Sequence, residues 1–338
     1  MPLLEFDKVS KVYAKGPGLW RSRFRRHMAA GQAVKGAAHP ALSRIDLQIK
    51  AGEAVGLVGE SGAGKSTLAA IATGLELPTS GTVRIDGHTP GKDQITLHRL
   101  ARAVQLIWQD AAGSLDPRMK VGTAVAEPLR IHRLAPRENL QTEVKSLLAA
   151  VGLQNELAGR YPHQLSGGEA QRLVIARALA LKPKLLICDE PASALDAHAK
   201  AQLAELLLRL RQQHCLAYLI VAHDLSLVRR LTERIYVIYK GVIVETGPTA
   251  AVLSQPLHPY TRLLMAADPN SPAWAEPGQQ IWHPERGGCY FANRCSEWDA
   301  GRCADLPLLA EVEGGRAVAC QSGKASFRSG AAAATTSG

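Results

Sequence analysis

Gly59-Glu60-Ser61-Gly62-Ala63-Gly64-Lys65-Ser66-Thr67 reads G-x-x-x-x-G-K-S-T. The apolar run Ala54-Val55-Gly56-Leu57-Val58 precedes it, and the amphipathic run Leu68-Ala69-Ala70-Ile71 follows. Strand, glycine-rich turn and helix are the setting of a phosphate-binding loop. The glycines let the backbone wrap an anion, with N–H groups pointing inward at a helix N-terminus. Lys65 is placed to reach the β- and γ-phosphates as a point charge, and the Ser66 hydroxyl to ligate Mg²⁺. A merely structural turn explains neither the lysine nor the hydroxyls.

The chain has 338 residues, enough for one large α/β domain with appendages. A hydrophobic share of 46% and a charged share of 21% are those of a globular protein. No apolar run approaches a membrane span and the N-terminus lacks a signal-peptide core, so a cytosolic protein is expected, acting at a membrane only through partners. The net charge of +10 is uneven. Between Asp7 and Asp46 no acidic residue occurs, while Lys15, Arg21, Arg23, Arg25, Arg26 and Lys35 accumulate around Trp20 and Phe24. This basic insertion, residues 14–40, reads first as a solvated loop; nucleic acid and anionic lipid headgroups are the partners such a stretch attracts.

Alternation and flanking turns predict strands over Leu3–Val9, Leu42–Ile49, Gly81–Gly87 (ending in an Asp-Gly turn) and Val104–Trp108. From Asp116 to about Leu181 the pattern is helical, with Leu140, Val144, Leu147, Leu148 and Val151 at helical spacing and Gly152 as a C-cap. The α/β pattern then returns. A strand is expected at Leu185–Cys188, a helix at Lys200–Leu210 and a strand at Ala217–Ala222. Ile235–Tyr239 and Val242–Glu245 form a hairpin about Lys240-Gly241. Beyond Thr246 the composition predicts loops, and residues 323–338 read as a disordered tail.

Leu185-Leu186-Ile187-Cys188-Asp189-Glu190 is an apolar strand ending in two carboxylates. Beside the phosphate loop, Asp189 would hold the Mg²⁺ shell and Glu190 would deprotonate the attacking water. Leu165-Ser166-Gly167-Gly168-Glu169-Ala170-Gln171-Arg172 is more specific, because it resembles L-S-G-G-x-x-Q-R, the signature of ATP-binding-cassette ATPases.

That resemblance covers about Leu3 to Leu264 and orders the remaining parts. Gln109 matches the glutamine that links the Mg²⁺ site to membrane subunits. Ser193-Ala194-Leu195-Asp196 matches the loop that communicates across a dimer. His223 matches the histidine on the γ-phosphate, and Tyr13 the aromatic that stacks on adenine. The implied fold is α/β: a P-loop NTPase (RecA-like) core with an antiparallel β portion and an inserted helical subdomain at about 116–181. Residues 1–255 would form the ATPase domain and 256–322 a loop-rich C-terminal extension. Ser166, Gly167 and Gly168 would complete the phosphate pocket of a second subunit, identical or related, so that two cassettes enclose two ATP molecules. ATP and Mg²⁺ are the implied cofactors, and hydrolysis would drive a transporter.

Asp116-Pro117-Arg118-Met119, Leu257-His258-Pro259-Tyr260-Thr261-Arg262 and Gly288-Cys289-Tyr290-Phe291-Ala292-Asn293-Arg294-Cys295 resemble the oligopeptide/dipeptide (and nickel) importer subfamily. The implied partners are two permease subunits, a second ATPase, the membrane surface and, indirectly, an extracytoplasmic solute-binding protein. The implied place is peripheral, on the cytoplasmic face of the inner membrane. Di- or oligopeptides are the leading substrates, with nickel, metal-chelate or opine-like solutes as alternatives. A soluble cassette acting on nucleic acid or ribosomes is the rival from another class. It leaves the importer stretches unexplained, so nucleic acid is not expected as a partner. An exporter reading is opposed by the C-terminal cysteines. Glu169, where the signature often has glutamine, and Ala197-His198-Ala199-Lys200 depart from the subfamily pattern and weaken any claim about a particular solute.

Six cysteines in a cytosolic chain argue against a disulfide framework. Cys289, Cys295, Cys303 and Cys320 follow C-x5-C-x7-C-x16-C, which suits a 4Fe–4S cluster, Zn²⁺ or free thiols. The cluster is preferred here, since the spacing lacks the tight C-x2-C of most zinc sites and clusters are associated with this subfamily's C-terminal region. Cys188 and Cys215 read as packing residues.

Overall fold

The computed structural model describes residues 1–13, 40–91, 97–193, 195–222, 225–267 and 288–321. Residues 14–39 of the basic insertion, Ala194, His223 and the tail 323–338 lie outside the described residues.

The chain begins with β1 (Leu4–Lys11), β2 (Leu42–Ile49), β3 (Ala54–Val58), α1 (Lys65–Ala72), β4 (Ser80–Ile85), α2 (Leu97–Ala103) and β5 (Val104–Ile107). A helical stretch follows: α3 (Val121–Ile131), α4 (Leu140–Ala150) and α5 (Gly167–Leu179). The α/β alternation resumes with β6 (Leu185–Asp189), α6 (Ala197–His214), β7 (Ala217–Ala222), α7 (Leu225–Leu231), β8 (Arg234–Tyr239) and β9 (Val242–Pro248). The C-terminal segment adds α8 (Thr249–Ser254), α9 (Pro259–Ala266), β10 (Ala310–Val312) and β11 (Arg316–Val318).

Two sheets result. One is three-stranded and antiparallel, in the order β2-β1-β4; the other is eight-stranded, in the order β10-β11-β9-β8-β3-β7-β6-β5. The run β8-β3-β7-β6-β5, which ends at the sheet's edge, is parallel. Its strands are near-continuous apolar runs because both faces are covered. In β7, Tyr218, Ile220 and Ala222 join the core that contains α5 and α6, while Ala217, Leu219 and Val221 face the core shared with α1 and the antiparallel sheet. In β3, Ala54 and Val58 point one way and Val55 and Leu57 the other. The helical stretch packs as one unit with the first core through Val121, Val125, Leu148 and Leu173.

Most expected elements fall within a few residues of their places. The β4 strand ends in the Asp86-Gly87 turn at φ 51° and 79°, and the β8–β9 hairpin turns through Lys240-Gly241 at φ 44° and 80°. These left-handed pairs match the twist of the flanking strands. Helix α6 starts three residues earlier than the apolar spacing suggests, because the Asp196 carboxylate caps it by accepting the Ala199 N–H at 2.8 Å. The fifth strand stops at Ile107 rather than Trp108. The C-terminal extension carries more regular structure than a loop-rich composition predicts. It contributes α9 and the β10–β11 pair, and β11 joins the main sheet beside β9 with Ala317 opposite Thr246.

Candidate nucleotide site

Parallel register brings the strand ends together. Val58 at the end of β3 lies opposite Ala222 of β7, Val221 lies opposite Asp189 of β6, and Cys188 lies opposite Ile107 of β5. The loops that leave these strands therefore emerge along one edge, where α/β sheets bind ligands. They carry Gly59–Gly64, Asp189-Glu190 and Gln109. His223, next after β7, lies outside the described residues.

The loop between β3 and α1 is pinned from behind. The Gly241 N–H donates to the Ala63 carbonyl at 2.8 Å, which ties the loop to the hairpin turn. A side chain at Gly59 would place its Cβ 2.2 Å from the Ile238 carbonyl oxygen. Gly64, at φ 106°, caps α1 in a conformation that L-residues avoid. Lys65 begins α1, is 6% exposed, and donates from Nζ to the carbonyl oxygens of Gly59 at 2.7 Å and Glu60 at 3.0 Å. Burial lowers its pKa, against the opposing pull of the Glu190, Asp189 and Glu60 carboxylates. A buried ammonium beside a glycine-rich loop at a helix N-terminus suits an anion.

Asp189 is likewise buried, and burial raises its pKa; a hydrogen bond from the Ser66 hydroxyl and the charge of Lys65 pull the other way, while Glu190 adds to the rise. An oxygen pair made of Ser66 and Asp189 at the mouth of a phosphate loop fits a hard divalent cation, whose charge would favour the ionised carboxylate. Glu190 adopts φ 49°, unusual for a non-glycine residue, while its N–H still donates to the Val221 carbonyl at 2.8 Å. That backbone turn ends the strand, and the Glu190 carboxylate lies within electrostatic reach of Lys65 and Asp189.

The structure thus gathers Lys65, Ser66, Asp189 and Glu190. Gln109 is exposed just past β5, and Tyr13 is exposed past β1, with the Lys11 ammonium 5.1 Å from its ring centroid. Ser166 lies elsewhere, at the N-cap of α5, exposed beside Gly167 and Gly168. The Ser166 hydroxyl accepts the Glu169 N–H at 3.3 Å and the Glu169 carboxylate accepts the Ser166 N–H at 2.8 Å. Glutamate at position 169 therefore completes a capping box, and the hydrogen bonds its carboxylate accepts from the Ser166 N–H and hydroxyl lower its pKa.

The C-terminal cysteines are free thiols, and all four line one cavity of about 20 Å³ with His258 and Phe291. Among the described residues, however, no group of three or more His, Cys, Asp or Glu side chains is arranged to hold a metal ion. Burial raises the thiol pKa of Cys289, and that of Cys295 to about 11. The described residues thus give no support to the expected 4Fe–4S or zinc centre. Sequence spacing gathered the cysteines correctly but carries no information on how their sulfurs converge.

Two residues near the site had no role assigned from sequence. The Tyr260 hydroxyl accepts the Glu60 N–H at 2.8 Å, and Arg294 donates to both Glu60 carboxylate oxygens at 2.9 Å each. Their stretches read only as subfamily marks, and contacts spanning some two hundred residues leave no local signal.

Fold and site define a P-loop nucleotide hydrolase whose sheet edge carries the Lys65 ammonium, the Ser66–Asp189 oxygen pair and the Glu190 carboxylate. Residues 42–193 match the family described as ABC transporter, and residues 244–303 match the oligopeptide/dipeptide transporter C-terminal region. A putative peptide import ATP-binding protein of Brucella abortus (strain 2308) is 43% identical over 289 residues, covering 83% of this chain and 86% of the relative. The di/tripeptide transport ATP-binding protein DppF of Pseudomonas aeruginosa (strain UCBPP-PA14) is 40% identical over 290 residues, covering 83% and 89%. A solved dimeric post-hydrolysis ATP-binding cassette, bound to ADP and Pi, superposes with a TM-score of 0.60 at 27% identity, covering 73% of this chain and 98% of the other. The chain belongs to the ATP-binding subunits of ABC transporters, and it is an ATPase that works in a transport complex. ATP and Mg²⁺ are the cofactors of that family, and permease partners and cassette dimerisation go with it. No described helix is long and apolar enough to cross a membrane.

Proposed function

We propose that this ATPase subunit powers a binding-protein-dependent importer of di- or oligopeptides. The observation that carries the reading is the joining of two parts in one chain: the Lys65–Ser66–Asp189–Glu190 cluster and a C-terminal segment matching that of oligopeptide/dipeptide transporters. The relatives named for peptide and di/tripeptide transport support the substrate class.

In this reading the loop Gly59–Thr67 cradles the triphosphate through its N–H groups while Lys65 neutralises charge on the β- and γ-phosphates. Ser66, Gln109 and Asp189 would hold Mg²⁺, which would supply positive charge against the phosphates. Glu190 takes the proton of the attacking water, His223 contacts the γ-phosphate, and Tyr13 stacks on adenine. Ser166, Gly167 and Gly168, at the N-terminus of α5, close the pocket of the opposite cassette, identical or related. Two permease subunits receive the motion at the cytoplasmic face of the inner membrane, and a solute-binding protein delivers the cargo outside. The cysteine set enters as a structural element, and no step is routed through a metal held by it.

Uptake in a strain lacking this gene tests the reading. Wild type should restore entry of labelled di- and oligopeptides, and Lys65→Ala should not. Restoration of nickel or metal-chelate uptake alone would overturn the peptide assignment, and no transport phenotype would overturn the importer.

A further inference from the structure

Glu60, the second residue of the phosphate loop, is held at three points. Its carbonyl accepts the Lys65 ammonium at 3.0 Å, its N–H donates to the Tyr260 hydroxyl at 2.8 Å, and its carboxylate receives both arms of Arg294 at 2.9 Å. Two of these partners come from beyond the ATPase core, from the first turn of α9 and from the 3-10 turn Ala292–Arg294. Both are fixed by an aromatic cluster. The Tyr239 and Tyr260 rings lie 4.5 Å apart, Phe291 meets Tyr239 edge-on at 5.3 Å, and the Arg294 guanidinium sits 5.9 Å and 5.7 Å from the Tyr239 and Phe291 centroids. Tyr260 is fully buried, and the Arg294 side chain is 17% exposed. A planar fork stacked on rings loses little entropy in making a bidentate pair.

We propose that Tyr260 and Arg294 are positioning residues for the phosphate loop, through which the C-terminal segment sets the affinity for ATP. The proposal rests on the nucleotide site read above. Lys65 faces three carboxylates, those of Glu60, Asp189 and Glu190. Asp189 and Glu190 have work to do with cation and water, whereas the Glu60 charge only repels an incoming triphosphate. Arg294 cancels that charge and holds it against the aromatic cluster. Tyr260 holds the Glu60 N–H, which shares its peptide plane with the Gly59 carbonyl, and so fixes the direction of that carbonyl, which receives Lys65 at 2.7 Å.

The test measures binding of a fluorescent ATP analogue and steady-state hydrolysis in the full chain. Arg294→Ala should weaken binding and raise KM for ATP by roughly tenfold, with kcat changed little. Adding Glu60→Gln to Arg294→Ala should restore most of the affinity, because the repelling charge is then gone. Arg294→Lys should fall between, and Tyr260→Phe should raise KM severalfold. Lys65→Ala is the control for the site itself. If Lys65→Ala abolishes binding while Arg294→Ala and Tyr260→Phe bind like wild type, the positioning role is wrong and the site stands. If Arg294→Ala loses kcat and thermal stability together and Glu60→Gln rescues neither, the contact is only structural and the proposal fails. If Lys65→Ala binds normally, the site reading falls and the proposal with it.

Discussion

Lys65 and Asp189 are charged side chains, each 6% exposed, Lys65 at the head of α1 and Asp189 at the end of β6, whose other residues are apolar and buried. Burying them is costly unless each finds compensation. Lys65 finds two loop carbonyls and three carboxylates, and Asp189 finds the Ser66 hydroxyl and Lys65. One residue before Asp189, Cys188 shows what the same strand does to a group with no such help: burial pushes its thiol up to about 12. Cys215, in a left-handed C-cap position after α6, is exposed. Alkylation of the native protein should therefore modify Cys215 readily and Cys188 at least roughly a hundredfold more slowly, followed by peptide mapping. Equal labelling of the two would contradict the burial of β6 between β7 and β5.

Among the elements, the C-terminal extension is held by a buried ion pair. Glu245 on β9, fully buried, accepts the N–H groups of Leu257 and His258 and receives Arg316 of β11 at 2.7 Å. Removing one partner leaves the other charge uncompensated, so Arg316→Met should lower unfolding stability by about 3–5 kcal/mol, measured by urea denaturation. Adding Glu245→Gln should recover part of the loss, and a loss below about 1 kcal/mol would show that the pair does not anchor the extension. Nothing in the sequence pairs Glu245 with Arg316, because the contact spans 71 positions. The same holds for Arg294 with Glu60. By contrast, β3, β7 and the Lys240-Gly241 hairpin were legible, since an apolar run between turn residues, or a turn pair needing positive φ, is a local statement. Helices α8 and α9 were not, because six and eight residues of mixed character give too short a period to read. The site was legible where chemistry is contiguous, at Gly59–Thr67 and Asp189-Glu190, and illegible where the fold alone makes it.

For the whole molecule, the signature serine and the phosphate loop stand on different elements, Ser166 at the head of α5 and Lys65 at the head of α1. In the proposed reading one cassette offers one half of each of two composite pockets, and nucleotide bound between it and a second cassette, identical or related, acts as the adhesive. Hydrolysis destroys that adhesive, and Glu190 is the group assigned to it. The most direct measurement is ATP turnover and nucleotide-dependent association of Glu190→Gln, with the matching glutamate of the second cassette also replaced. The account predicts ATP binding close to wild type, a closed dimer that persists with ATP and Mg²⁺, and turnover lowered by roughly 100-fold or more. Turnover at the wild-type rate would contradict it.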